Sequence, residues 1–293
     1  MVLFLGIFMI LDGKKIASDI RGEIRDEVAR YKLQSGISPV LAAVIVGEDP
    51  ASKIYVANKE KACREVGIES RVLQLPASTG TSDLVRVIEQ LNDDVGVHGI
   101  LVQRPLPTGC EESMILDVIV PCKDVDAFHP ENVGLVSQGR PRFLPCTPYG
   151  IQELLFRYGI ETAGQHVVII GRSDIVGKPM GLMLLQKTKV GNATITITHS
   201  HTKELALLTK QADILIAAIG IPKFVTADMV KRGAVVIDVG INRLPNGKIC
   251  GDVDFDNIEP IASAITPVPG GVGPLTVTML LLNTLTAAKL NTK

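Results

Sequence analysis

Short β-branched runs alternate with helix-length segments along most of the chain, and this rhythm limits the possible folds more than any single residue does. Residues 40–46 (VLAAVIV), 71–75 and 98–103 read as strands, and 14–31, 52–66 and 82–94 read as helices. In 14–31 the residues Ile16, Ile20, Ile24 and Val28 recur every four positions, which gives a helix one apolar stripe and leaves its other face charged. A proline-rich zone at 104–148 interrupts the pattern and marks either a domain boundary or functional loops. The rhythm then restarts, with strands at 166–171, 193–198, 213–220 and 234–240. Strands separated by helices build βαβ units, so the expected class is α/β: two domains with mostly parallel sheets, the second of them Rossmann-like. Pro274 suits a first helical position, so 274–289 is expected as a closing helix, although periodicity does not say which domain it joins.

At 293 residues with 46% hydrophobic content, the chain can fill two cores. Thirty basic residues against thirty-one acidic ones leave a formal charge of −1, so no global field exists to draw in nucleic acid or an anionic membrane. A small-molecule partner is expected. Cys63, Cys110, Cys122, Cys146 and Cys250 are scattered and odd in number, without the spacing of metal ligands, which points to reduced thiols, a cytoplasmic setting and no metal. The apolar opening, 1–11, has no basic flank or small-residue cleavage site and is too short to cross a bilayer. The apolar stretch 275–288 is broken by Thr276, Thr278, Asn283, Thr284 and Thr286 and reads as a buried helix, so no membrane segment is expected.

Several short motifs carry chemistry. The run VVIIGRSDIVG places Gly171 and Gly177 six apart between a buried strand and a helix, where a phosphate could approach backbone N–H groups. The spacing departs from G-x-G-x-x-G, and a plain tight turn would use the same letters. Arg172 adds a fixed cation suited to a 2′-phosphate. At the end of the next strand, Thr198-His199-Ser200-His201-Thr202 offers hydroxyl and imidazole groups where NAD sites carry an acid, which favours NADP; a capping or loop role or, more remotely, a metal fragment are the alternatives. The loop TPVPGGVGP (266–274) puts three glycines between prolines before a helix, reading as a ligand-contacting loop or a rigid linker. Tyr55 and Lys59 share one helical face; a lysine there can shuttle a proton if desolvated, although such pairs are common on solvated helices. In KDVDAFH, Asp124, Asp126 and His129 suit either an amino-pyrimidine edge or ordinary turn chemistry.

Taken in order, YVANKEKAC, GILVQRPLP, KDVDAFH, PCTPYGI, GRSDIVGKPM and TPVPGGVGPLTVTML resemble the bifunctional methylenetetrahydrofolate dehydrogenase and methenyltetrahydrofolate cyclohydrolase family, from about Met9 to Lys289. The resemblance implies a folate-binding catalytic domain at 1–148 plus 274–293, to which the closing helix returns, an NADP-binding domain at 149–273, and a substrate cleft between them. It implies NADP-dependent oxidation of 5,10-methylenetetrahydrofolate to the methenyl compound, then hydrolysis to 10-formyltetrahydrofolate, within one-carbon metabolism and purine biosynthesis. By the same resemblance Lys59 is the key catalytic group, Tyr55 stacks on the folate, Gln103 tunes the lysine and Asp126 holds the pterin, with Ser52, Pro269 and Gly270 also at the substrate. Thr147, Gly171, Arg172, Ser173, Ile175, Ser200, Ile241, Gly271 and Val272 are implied on the cofactor side, Arg172 and Ser200 gripping the 2′-phosphate. A homodimer is implied as well.

Two positions depart from the family pattern: Arg104 stands where an apolar residue is common, and Ala127 where glycine is usual. The family's chains usually begin near the equivalent of Met9, so 1–8 reads as an upstream extension or a misplaced start. The rival readings are a dehydrogenase without the hydrolytic step and a folate- or nucleotide-binding protein without chemistry. Neither accounts for Tyr55, Lys59 and Gln103 together.

Overall fold

A computed structural model describes residues 8–291; the expected upstream extension, apart from Phe8, and most of the apolar opening lie outside the described residues. The chain divides into two compact units, one of residues 18–146 with 277–293 and the other of 1–17 with 147–276.

In the first unit, Val40–Val46 is the central strand of a three-stranded parallel sheet, between Glu69–Leu75 and Gly99–Val102. All seven residues of the central strand are buried, as expected of a β-branched run covered on both faces. The helices Pro50–Val66 and Thr81–Asp93 make the crossovers to the neighbouring strands. Leu84, Ile88 and Leu91 of the second helix pack with Val40, Ala42, Val44 and Ile100 in one core cluster. The Pro50–Val66 helix starts on Asp49, whose carboxylate accepts from the Ser52 N–H at 2.7 Å, a cap of about 1 kcal/mol. The four-residue stripe of the Gly13–Ser35 helix lies inward, Ile16, Ile20, Ile24 and Val28 all being buried.

The closing helix runs over Val272–Asn291, starting two residues before the expected proline. Its residues from 277 onward group with this unit, where Asn283 Nδ2 donates to the carbonyls of Val125 and Leu144 at 2.8 and 2.9 Å. The proline-rich zone is less loop-like than its composition implies. It contains the helices Glu112–Val118 and Pro130–Ser137 and the start of Cys146–Arg157.

The second unit carries a six-stranded parallel sheet in the order Met9–Ile10, Ala264–Ile265, Val235–Asp238, Ile214–Ala217, His166–Ile170, Thr194–Thr198. Four of these strands match expected ones. The two at one edge, only two residues each, have no periodic signature, and their pairing of Met9 with Ala264 ties the start of the described chain to this unit. An antiparallel pair, Asn242–Arg243 with Ile249–Cys250, stands apart from the main sheet.

Candidate active site

The expected site residues fall in both units, and Lys59, Gln103 and Asp126 come together in the first. In the first, the Pro50–Val66 helix carries Ser52, Tyr55 and Lys59. Ser52 is buried near the helix start, Tyr55 is exposed and Lys59 is half-buried. Lys59 Nζ donates to Gln103 Oε1 at 3.0 Å. Gln103 immediately follows the Gly99–Val102 strand, and its Nε2 donates to the Arg104 carbonyl at 2.6 Å, which fixes the amide with its oxygen toward the lysine.

Asp126 belongs to the same cluster electrostatically. Burial pushes the Lys59 ammonium below its ordinary value; the Asp126 carboxylate opposes that shift, and the Arg104 guanidinium adds to it. Burial likewise holds the Asp126 carboxyl above the usual carboxylate range, with Lys59 pulling it back. Both groups are therefore moved toward their neutral forms by loss of water. A neutral amine at Lys59 can accept a proton; a fully solvated lysine could not do so near neutral pH.

Cys146 and Arg104, to which the sequence reading gave no role at the site, complete this cluster. Burial raises the Cys146 thiol well above its ordinary value, and its Sγ donates to the Val125 carbonyl at 3.5 Å and approaches Asp126 Oδ1 at 3.7 Å. Arg104 lies 4.9 Å over the Phe128 ring and pairs with Glu112 at 2.7 Å. Neighbouring Asp124 faces elsewhere: it is buried and accepts from the His129 N–H and Asn132 Nδ2, both at 2.8 Å. Ala127 has φ +61°, a left-handed conformation that favours glycine.

The second group lies past the ends of parallel strands, where doubly wound sheets bind ligands. Ile170 pairs with Thr198 across neighbouring strands, so Arg172 and Ser200 each stand two residues beyond a matched strand end. Both are exposed, and Arg172 has no hydrogen bond or ion pair to another described residue. Gly171 has φ +118°, and a Cβ there would lie 2.3 Å from the Ala218 carbonyl oxygen, so only glycine makes this turn. Ser173 Oγ accepts from the Val176 and Gly177 N–H groups at 3.2 and 3.4 Å, closing the turn into the Gly177–Leu184 helix, with Ile175 half-buried inside it.

Ile241 is exposed, just past the Val235–Asp238 strand. Pro269 is exposed, Gly271 and Val272 are buried, and the Gly270 carbonyl accepts from the Lys14 N–H at 2.9 Å. Thr147 shares a 2.9 Å hydrogen bond with the Thr276 hydroxyl. His199 and His201 sit as a T-shaped ring pair, with His199 Nδ1 accepting from the His201 N–H within a local turn; the next helix, Leu205–Thr209, has Glu204 at its N-cap and takes no side-chain cap from either histidine. No group of three metal-ligating side chains occurs among the described residues.

Comparison with known proteins bears on both groups. Residues 11–126 match the family model of the tetrahydrofolate dehydrogenase/cyclohydrolase catalytic domain, and residues 145–292 match the model of its NAD(P)-binding domain. The chain is 59% identical over 291 residues to the bifunctional protein FolD of Rhodopirellula baltica, covering 96% of this chain and 97% of that one. Among solved structures it resembles the FolD dehydrogenase/cyclohydrolase of Campylobacter jejuni, with TM-score 0.93 and 48% identity over 97% of this chain and 99% of that one. It also resembles the Trypanosoma brucei enzyme solved with NADP cofactor and inhibitor, with TM-score 0.90 and 38% identity over 97% and 98% of the two chains.

Proposed function

Since this chain belongs to the tetrahydrofolate dehydrogenase/cyclohydrolase family, we propose that Lys59, Gln103 and Asp126 form the catalytic centre of its two reactions. The protein is a bifunctional enzyme of one-carbon metabolism. It oxidises 5,10-methylenetetrahydrofolate to the 5,10-methenyl compound with NADP and hydrolyses that product to 10-formyltetrahydrofolate. The observation that carries the site assignment is the half-buried Lys59 ammonium, bonded to Gln103 and depressed by loss of water.

The dehydrogenase half needs a group to take hydride from the methylene carbon, and NADP supplies that acceptor. The residues present fit it. Arg172 offers an exposed guanidinium with no partner among the described residues, and Ser200 an exposed hydroxyl beside it at the matched strand end, a donor set suited to a 2′-phosphate. Gly171, Ser173 and Ile175 shape the adjoining turn, and Thr147, Ile241, Gly271 and Val272 are assigned to the same ligand. In our reading this sets a preference for NADP over NAD.

For the hydrolytic half, water adds to the electrophilic methenyl carbon, and the Lys59 amine, held in place by Gln103 Oε1, takes the proton that the attacking water loses. Collapse of the resulting hydroxy adduct breaks its bond to N5 as the hydroxyl proton passes to N5, which leaves the formyl group on N10. Asp126 accepts from the N–H edge of the pterin ring, Tyr55 covers its face, and Ser52 supports the helix start beneath them. On this reading the unit of residues 18–146 and 277–293 binds folate, and the unit built on 147–276 binds NADP.

We further propose that the enzyme works as a cytoplasmic homodimer that supplies formyl groups to purine biosynthesis. The five free cysteines suit a reducing compartment, and gel filtration with light scattering tests the dimer. The decisive assay incubates purified protein with methylenetetrahydrofolate and NADP. Reduced cofactor should appear, followed by decay of methenyl absorbance faster than the spontaneous rate; no turnover with either nicotinamide cofactor overturns the reading.

A further inference from the structure

The loops behind the proposed cofactor face are held by a buried acidic pair that the two reactions do not use. Asp252 is 0% exposed and Asp238 3% exposed, yet both carboxylates are saturated with donors. Asp252 Oδ2 accepts from the Ile219 and Gly220 N–H groups at 2.7 and 3.0 Å, and its Oδ1 accepts from Asn242 Nδ2 at 2.9 Å. Asp238 Oδ1 accepts from the Gly240 and Asp252 N–H groups at 3.0 and 2.9 Å, and its Oδ2 from the Val253 N–H at 3.0 Å.

These bonds join the segments that follow two paired neighbouring strands, Ile214–Ala217 and Val235–Asp238, whose last residues Ala217 and Asp238 are in register. One segment ends at Gly220 and contains Ala218, whose carbonyl oxygen backs the Gly171 turn beside Arg172. The other contains Ile241. Close approach is built in on both sides: a Cβ on Gly240 would lie 2.2 Å from Asp252 Oδ1, and one on Gly251 would lie 1.7 Å from Asp238 Oδ2. An amide in place of the Asp252 carboxylate would turn a donor onto a backbone N–H, or onto Asn242 Nδ2 and so force the Asn242 amide to turn over.

We propose that Asp252 is a positioning residue for nicotinamide-cofactor binding, its carboxylate bridging the Ile219–Gly220 peptides to Asn242 so that the Gly171 turn and Ile241 are held in the geometry that receives NADP. The inference rests on the cofactor assignment of Ile241 and Arg172 made above. It adds a residue that touches no ligand itself and acts through those that do.

The test is an exchange of hydrogen-bonding polarity. Asp252→Asn faces its new amide N–H₂ toward the Asn242 amide, and Asn242→Asp alone sets two carboxylates against each other. The double variant, Asp252→Asn with Asn242→Asp, restores a donor–acceptor pair with the charge moved to the other side. Titration of the full-length protein with NADP should give a Kd raised about ten-fold for each single variant and within about three-fold of the parent for the double variant. In dehydrogenase assays the loss should fall on KM for NADP more than on kcat.

Ile241→Asp separates the cofactor assignment from the positioning role. If it leaves NADP affinity unchanged, the cofactor assignment fails and takes this inference with it. If Ile241→Asp weakens binding while Asp252→Asn does not, the positioning role alone is overturned. That role is overturned equally if the double variant recovers nothing, or if kcat falls with KM unaltered.

Discussion

Lys59 donates a 3.0 Å hydrogen bond to Gln103 Oε1, and Gln103 is held by its own bond to the Arg104 carbonyl. The amine is thus aimed by a neutral partner that adds no negative charge to it, which leaves burial free to depress its pKa. Replacing the amine by a methyl-tipped chain of similar length removes the proton acceptor. Lys59→Met should lower hydrolysis of supplied methenyltetrahydrofolate by about 100-fold or more, read as the rate of methenyl absorbance decay above the uncatalysed rate. Unchanged decay would remove Lys59 from this role.

Because Asp126 raises the Lys59 pKa and Arg104 lowers it, substitutions at the two should move the pH–rate profile in opposite directions. A general base works deprotonated, so hydrolysis rises with pH through the Lys59 pKa. Asp126→Asn removes a charge that favours the ammonium, and the rising limb should shift to lower pH. Arg104→Leu removes a charge that disfavours it, and the limb should shift to higher pH. Residual activity in each variant, followed from pH 5 to 10, is enough to read the sign, and shifts in the same direction would contradict the electrostatic assignment.

Much of the fold was legible because periodicity is a local signal. The Ile16, Ile20, Ile24 and Val28 stripe is buried throughout, and the run at Val40–Val46 is a strand with those bounds. The edge strands Met9–Ile10 and Ala264–Ile265 escape such reading, since two residues carry no period and their pairing spans more than 250 residues of chain. The KDVDAFH segment shows the limit for site residues. Lys123 Nζ donates to the carbonyls of Leu91, Asn92 and Asp94 at the end of the Thr81–Asp93 helix, Asp124 braces the His129 turn, and only Asp126 reaches the Lys59 cluster. Two aspartates two positions apart thus have unrelated tasks, and what separates them is contact with distant segments. Cys146 and Asp252 were invisible for the same reason.

Ala127 has φ +61° with its side chain fully buried, so two opposing effects meet at one position. Glycine relieves left-handed strain of about 1 kcal/mol or more, but loses a buried methyl worth about 0.8 kcal/mol and adds freedom to the unfolded chain worth roughly 0.4–1 kcal/mol. Ala127→Gly should therefore change stability by less than about 1 kcal/mol. At Ala62, buried within the Pro50–Val66 helix, there is no strain to relieve, and the same substitution should cost about 2 kcal/mol. Urea unfolding of the two variants side by side checks the contrast; equal losses would mean that Ala127 is not strained.

Arg172 is exposed two residues past the His166–Ile170 strand, with no partner among the described residues to compete for its guanidinium. NADP and NAD differ only in the 2′-phosphate, so a residue that grips this group affects one and spares the other. Arg172→Ala should weaken NADP about ten-fold or more and NAD by less than about two-fold, as measured by calorimetric titration. Equal weakening would contradict phosphate recognition.

Asp238 gives the molecule a pH dependence opposite in sign to that of most paired carboxylates. Burial pushes its carboxyl up to about 6, and the nearby Asp252 charge pushes the same way; the three N–H donors from Asp252, Val253 and Gly240 pull it down without prevailing. Its pKa is thus higher folded than unfolded, where 3.8 applies. The folded state binds this proton more tightly, so the stabilising contribution is fully present below about pH 4 and is lost as pH rises through about 6. Asp213 and Asp254, both held below the usual carboxylate range by their hydrogen bonds to Lys231 and to Asn257, contribute with the opposite slope. Total stability therefore does not isolate Asp238, but the difference between the parent and Asp238→Asn does, because the asparagine does not titrate. That difference in unfolding free energy, measured by urea titration from pH 4 to 7.5, should favour the parent increasingly as pH falls through 6. A difference that is flat across this window, or that grows with pH, would show that the N–H donors outweigh burial at Asp238.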